Sequence, residues 1–176
     1  EHRLPEIKRR EIDVYAEPGE HCDLVRAARL ADDLGDQELA LELNNKALDA
    51  AKESGNLIEA AGILRIELDD PELSCQYYSD YIDSFFERVS EEPSRWIIHD
   101  HDLLEAIKHA RGHKSYELDV WYLEYVRSEE EAGSLSSGAA LFAIKVLQAT
   151  GNQQFARVIA TNTLYYYIEN LHDQSK

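Results

Sequence analysis

Apolar side chains recur through almost the whole chain at steps of three and four residues, the repeat of an α-helix, and short turn signals cut that pattern into segments. Leu24, Ala27, Ala28, Ala31 and Leu34 form one stripe, which stops at Gly35. Leu39, Ala40, Leu43, Ala47, Ala50 and Ala51 form the next, which stops at Gly55. Two amphipathic helices separated by so short a connection must run antiparallel and pack face to face. The stripe therefore predicts a helical hairpin over 21–55.

The same logic continues along the chain. Leu57, Ala61, Leu64 and Leu68 precede a break at Asp69-Asp70-Pro71-Glu72, where Asp70 suits an N-cap and Pro71 the first helical position. Cys75, Tyr78, Ile82, Phe85 and Val89 complete a second hairpin over 56–92. Leu103, Leu104, Ile107 and Ala110, then Leu118, Trp121, Tyr122, Tyr125 and Val126, predict a third over 99–131 that turns at Gly112. Ala139, Phe142, Ala143, Val146 and Leu147, then Phe155, Ala156, Ile159, Thr163 and Tyr166, predict a fourth over 135–172. Residues 1–19, with Pro5 and Pro18, read as an N-terminal cap or linker remnant.

Two of these turns are near copies. Gly35-Asp-Gln-Glu-Leu-Ala40 returns as Gly151-Asn-Gln-Gln-Phe-Ala156, each after an Ala-rich helix. A shift of 34 residues lays Leu34 on Leu68, Asp36 on Asp70 and Ala28 on Gly62. The run Ala28-x-x-Ala31-x-x-Leu34-Gly35-Asp36-x-x-x-Ala40, followed by Ala47-Leu48 and Gly55-Asn56, resembles the tetratricopeptide repeat. The family's first-helix aromatic and repeat-end proline are missing, and the third hairpin departs furthest from the pattern. The resemblance implies an all-α fold of about four antiparallel hairpins, stacked over 20–176 as a short right-handed superhelix with a concave groove.

Family groove positions fall on Val25, Arg29, Asp32 and Asp33 in the first repeat and on Asn56, Glu59, Ile63 and Glu67 in the second. They fall on His99, Asp102 and His109 in the third, and on Lys145 and Gln148 in the fourth. The Lys and Asn carboxylate clamp of some family members has no counterpart.

Charge narrows the class of partner. With 35 acidic against 18 basic side chains the net charge is -17. Such a surface repels phosphate backbones and anionic lipid, which leaves a protein or peptide, of basic character, as the expected partner. Cys22 and Cys75 lie far apart without metal-ligand spacing and read as free thiols of a reducing, cytoplasmic environment. No apolar stretch approaches the ~20 residues of a membrane span. The chain begins at Glu1 and has no Met, which predicts an excised domain or a processed form.

Chemistry-bearing patterns are few. His101, Glu105, His109 and His113 stand at four-residue steps and, on one continuous helix, would face one side; this is the candidate metal set. His99-Asp100 resembles the His-Asp step of all-helical metal-dependent phosphohydrolases. Gly133-Ser-Leu-Ser-Ser-Gly138 has the glycine spacing of a phosphate loop but lacks its lysine. The leading expectation is a non-enzymatic scaffold, with no cofactor and no catalytic residues, that binds a peptide or protein surface in its groove. The alternatives are a metal-dependent hydrolase or metal-binding regulator centred on His99–His113, and a sensor or dimerisation domain of a larger regulatory protein. Adjacent aromatics such as Tyr165, Tyr166 and Tyr167 cannot all face inward, and they offer a homodimer surface.

Overall fold

The computed structural model describes residues 4–17, 20–91 and 100–173. Among them the chain is all-α, with nine helices and no strand. The helices are α1 (Leu4–Ala16), α2 (His21–Asp33), α3 (Gln37–Glu53), α4 (Leu57–Ile66), α5 (Pro71–Glu91), α6 (His101–His109), α7 (Ser115–Glu131), α8 (Ser137–Ala149) and α9 (Gln153–Asp173). They divide into two compact units, residues 1–80 and 81–176.

A dipeptide explains how three helix junctions can be so short. After α2, Gly35 takes φ +79°, a left-handed conformation that L side chains rarely adopt, and its N–H donates to the Asp32 carbonyl at 2.8 Å. The next residue, Asp36, donates its own N–H to the Ala31 carbonyl at 2.9 Å and accepts from the Leu39 N–H at 3.2 Å. One residue thus closes a helix while its neighbour opens the next. Gly55-Asn56 repeats the device between α3 and α4, with Asn56 Oδ1 accepting from the Glu59 N–H at 3.2 Å. Gly151-Asn152 repeats it between α8 and α9. Elsewhere an oxygen-bearing cap suffices: Asp70 accepts from the Leu73 N–H, Asp100 from the Leu103 N–H and Ser136 from the Ala139 N–H. Each such cap contributes about 1 kcal/mol.

In the first unit α2 packs on α1 and α3, and α3 packs on α4. The core is rich in small residues: Ala27, Ala28, Ala31, Ala47, Ala51, Ala60 and Ala61 are all almost completely buried. Small side chains let neighbouring helices approach closely, and Leu24, Leu43, Leu48, Ile63 and Leu64 fill what remains. Ser74, also buried, donates its hydroxyl to the Ala61 carbonyl at 2.8 Å and ties the start of α5 to α4.

The second unit is held differently. Phe85, Trp121, Tyr122 and Phe142 form a chain of ring contacts with centroids 4.8–5.9 Å apart, and Tyr125 stacks on Trp121. Leu103, Ile107, Leu118, Val146, Leu147 and Ile159 are buried in the same unit. At its edge the Asp119 carboxylate accepts from Thr150 Oγ1 at 2.5 Å and from Asn152 Nδ2 at 2.8 Å, clasping α7 to the turn between α8 and α9.

One local expectation, that for Phe155, is corrected. The segment read as a cap or linker remnant contains a thirteen-residue helix, α1, whose Ile12 is buried in the first unit's core. Phe155, placed on the apolar stripe of α9, is 42% exposed, because Ala156 and Ile159 take the inward face one residue away. Tyr166 and Tyr167 lie outside the residues whose side chains are described, while Tyr165 is exposed.

Candidate functional site

On the first unit a cleft of about 290 Å³ opens between α2, α3 and the end of α4. Ala28 and Ala40, both buried, are its smallest lining residues. Arg29 and Asp32 stand on the α2 side, Gln37, Leu41 and Asn44 on the α3 side, and Ile66 and Glu67 at the α4 end. Leu41 and Ile66 are 56% and 58% exposed, an apolar border around a polar interior.

Two features of the cleft belong to its ion pair. The Arg29 guanidinium donates through Nε at 3.0 Å and through Nη2 at 2.5 Å to the same Glu67 oxygen. The two ends of this pair differ: the Arg29 side chain is 63% exposed, whereas that of Glu67 is only 13% exposed. The carboxylate is the fixed, sheltered partner and the guanidinium is laid over it from solvent.

The third feature is Asn44. It is 7% exposed and sits among Ala40, Leu43, Ala47, Leu48 and Ala51, the buried stripe of α3. Its Oδ1 is buried and has no hydrogen-bond partner among the described residues. A buried polar atom without a partner costs free energy that an apolar residue at the same position would not.

The groove positions implied by the repeat resemblance are only partly gathered here. Arg29, Asp32 and Glu67 meet at the cleft. Asp33 pairs instead with Lys8 of α1 at 2.8 Å. Val25 and Glu59 are half-buried, and Asn56 is engaged in capping α4. Ile63 is corrected outright: at 3% exposure it belongs to the core, not to any groove. In the second unit Asp102, Lys145 and Gln148 are exposed, and His109 is half-buried. His99 lies outside the described residues. Gln37, Leu41, Asn44 and Ile66 line the cleft without having been anticipated; a polar residue at a core-phase position of α3 was the signal for Asn44.

The histidine stripe does not form. The helix carrying it, α6, ends at His109, and Arg111, Gly112 and Lys114 then take positive φ. His113 is turned away to Asp83 of α5, with Nε2 2.7 Å from Oδ1. His109 Nε2 lies 3.1 Å from Glu105 Oε1, and His101 is exposed. Among the described residues, three metal-type donors approach within 4.8 Å of one another only at Glu20, Cys22 and Asp23, on the surface at the start of α2.

Two further polar clusters occupy the second unit. Asp83 Oδ1 is 2.7 Å from both Lys114 Nζ and His113 Nε2, and the Lys114 ammonium, ahead of His113, holds this carboxyl below the usual carboxylate range. The Tyr81 hydroxyl donates to Asp100 at 2.8 Å and 2.9 Å, while the Arg88 guanidinium lies 5.2 Å from the Tyr81 ring centre. Burial, reinforced by Asp100, pushes the Tyr81 phenol well above its ordinary value. Burial also raises the Tyr122 phenol, and its hydroxyl has no partner among the described residues.

Comparison of the chain with protein-family models, with curated proteins and with solved structures finds no match in any of the three.

Proposed function

We propose that this chain is a non-enzymatic interaction scaffold, built of tetratricopeptide-like helical hairpins, that binds a peptide or protein segment of basic character. The cleft between α2, α3 and α4 is the observation that carries this reading. Its interior is polar, and the exposed Leu41 and Ile66 stand beside it. An extended segment laid across that surface buries apolar area on the two rims and hydrogen-bonds within, which is how short segments gain both affinity and register.

Three other observations agree with it. Helices joined by Gly-Asp and Gly-Asn turns hold a fixed register on their neighbours, because at these junctions one helix end is tied to the next by the capping bonds described above. The chain's net charge of -17 draws a basic segment toward it and speeds encounter. Cys22 and Cys75 are free thiols, which suits a reducing compartment such as the cytoplasm. Among the described residues no helix is long and apolar enough to cross a membrane.

Selection from a random peptide display library on the immobilised chain tests the reading. Recovered peptides should lose binding to a chain carrying Leu41→Glu and Ile66→Glu. Peptides that bind this variant as well as the parent would remove the cleft from the account.

A further inference from the structure

The buried face of α3 is apolar except at one position. Ala40, Leu43, Ala47, Leu48 and Ala51 follow the helical repeat, and Asn44 stands among them where a leucine would satisfy the same space. Its neighbours in the cleft supply acceptors: the Asp32 carboxylate, the Glu67 carboxylate and the amide oxygen of Asn44 itself. The cleft's donors are the amide nitrogens of Gln37 and Asn44 and, as its one cation, Arg29, which reaches Glu67 from a largely exposed position. Arg29 against Asp32 and Glu67 leaves the charged lining with one net negative charge.

We propose that the cleft is a receptor for an arginine side chain of a partner polypeptide, and that Arg29 is the internal stand-in which that side chain displaces. The proposal rests on the scaffold reading above and specifies what the cleft selects. Chemically the fit follows from the acceptors. Asn44 Oδ1 needs a donor, and the guanidinium presents five N–H groups in a planar fork, enough to serve Oδ1 and a carboxylate together. Arg29 already demonstrates the pairing, with two of its nitrogens on one Glu67 oxygen. Once Arg29 is displaced, the cleft's two carboxylates, Asp32 and Glu67, are left for the incoming charge. At ~30 Å³ per water, a space of about 290 Å³ holds several waters, so a long side chain enters by displacing solvent without forcing α2 from α3. Leu41 and Ile66 then meet the residues flanking that arginine.

Titration of the 15N-labelled full chain with blocked tripeptides tests this, using Leu-Arg-Leu, its neutral citrulline isostere Leu-Cit-Leu, and Leu-Glu-Leu. The arginine peptide should shift the Asn44 side-chain amide and the backbone signals of residues 28–44 and 66–67 saturably. Citrulline should bind about tenfold more weakly, and the glutamate peptide should leave these signals unmoved. Asn44→Leu should weaken arginine binding several-fold while leaving the chain folded, and Asp32→Asn should weaken it in the same direction. Arg29→Ala should strengthen binding several-fold by removing the competitor. Arg26→Ala makes the same change of net charge from an exposed position on α2 and should do much less.

Equal affinity for arginine and citrulline, or equal effects of Arg29→Ala and Arg26→Ala, would overturn the proposal. Failure of the two readings is separable. Display-selected peptides that depend on Leu41 and Ile66 but contain no arginine would end the arginine receptor and leave the scaffold standing. Peptides indifferent to Leu41 and Ile66 would end both.

Discussion

Replacing Asn44 by leucine should stabilise the protein, and the size of the gain follows from what the amide lacks. Oδ1 is buried with no partner among the described residues, on a helix face whose other members are Ala40, Leu43, Ala47, Leu48 and Ala51. An unsatisfied buried acceptor costs about 1–3 kcal/mol, and an apolar residue of similar size removes that cost while adding buried hydrocarbon. Incomplete packing against the open cleft offsets part of this, so the net gain should be about 1–2 kcal/mol. For a chain of this length that raises the melting temperature by roughly 2–8 °C. Urea unfolding followed by circular dichroism at 222 nm is the assay, read as a shift of midpoint at unchanged slope. Asn44→Ala separates the contributions, since it removes the amide without filling its volume, and its effect should fall below that of leucine. A loss of stability in Asn44→Leu would show that the amide oxygen is satisfied in solution, and the reasoning about the cleft would lose its foundation.

Other perturbations test other parts of the structure. Tyr122→Phe removes a hydroxyl that is fully buried and unpartnered among the described residues, so its melting temperature should equal or exceed the parent's; a fall of several degrees would mean the hydroxyl has a partner. Asp119→Ala breaks the clasp to Thr150 and Asn152 and should cost about 1–3 kcal/mol in urea unfolding, with no loss at all refuting the clasp. Tyr81 and Tyr122 have phenol pKa values raised in the folded state, so the stability they contribute is fully present below the unfolded value of about 10 and is lost as pH rises above it. Alkaline unfolding should therefore begin near pH ~10 and begin later in the Tyr122→Phe chain; coincident profiles would contradict the burial argument.

Much of the fold is local, and the local part is legible. Gly35-Asp36, Gly55-Asn56 and Gly151-Asn152 mark helix junctions because the residues that must be left-handed and the residues that must accept an N–H bond are few in kind. The stripes of α2 and α3 are equally plain, since one face is alanine and leucine and the other is charged. Helix α4 shows where this stops. Leu57, Ile58, Ala60, Ala61, Ile63, Leu64 and Ile66 leave it apolar almost all round, so spacing gives no inward direction. The repeat resemblance puts Ile63 in a groove, and spacing alone offers nothing to set against it, yet Ile63 is buried and Ile66 is exposed.

The candidate site was half legible for a related reason. Arg29, Asp32 and Glu67 stand at positions implied by the repeat, and Arg29 and Asp32 are charged residues on an exposed face. Asn44 does not, because a search for recurring apolar residues passes over the one polar member of the stripe. The histidine segment failed through chain geometry: four-residue spacing is a shared face only while the helix lasts, and α6 ends at His109, before Gly112 turns the chain. In α1 a charged run, Lys8-Arg9-Arg10-Glu11, hides the buried Ile12.

The most direct test of the central claim is the energetic coupling between Asn44 and the arginine of a bound peptide. Four dissociation constants suffice: parent and Asn44→Leu chains, each with Leu-Arg-Leu and Leu-Cit-Leu. If the amide oxygen accepts from the guanidinium, the two changes are not additive, and the coupling should be about 0.5–3 kcal/mol, the range for groups in contact. Additive effects would mean that Asn44 and the arginine do not meet, and that the cleft is not the receptor described here.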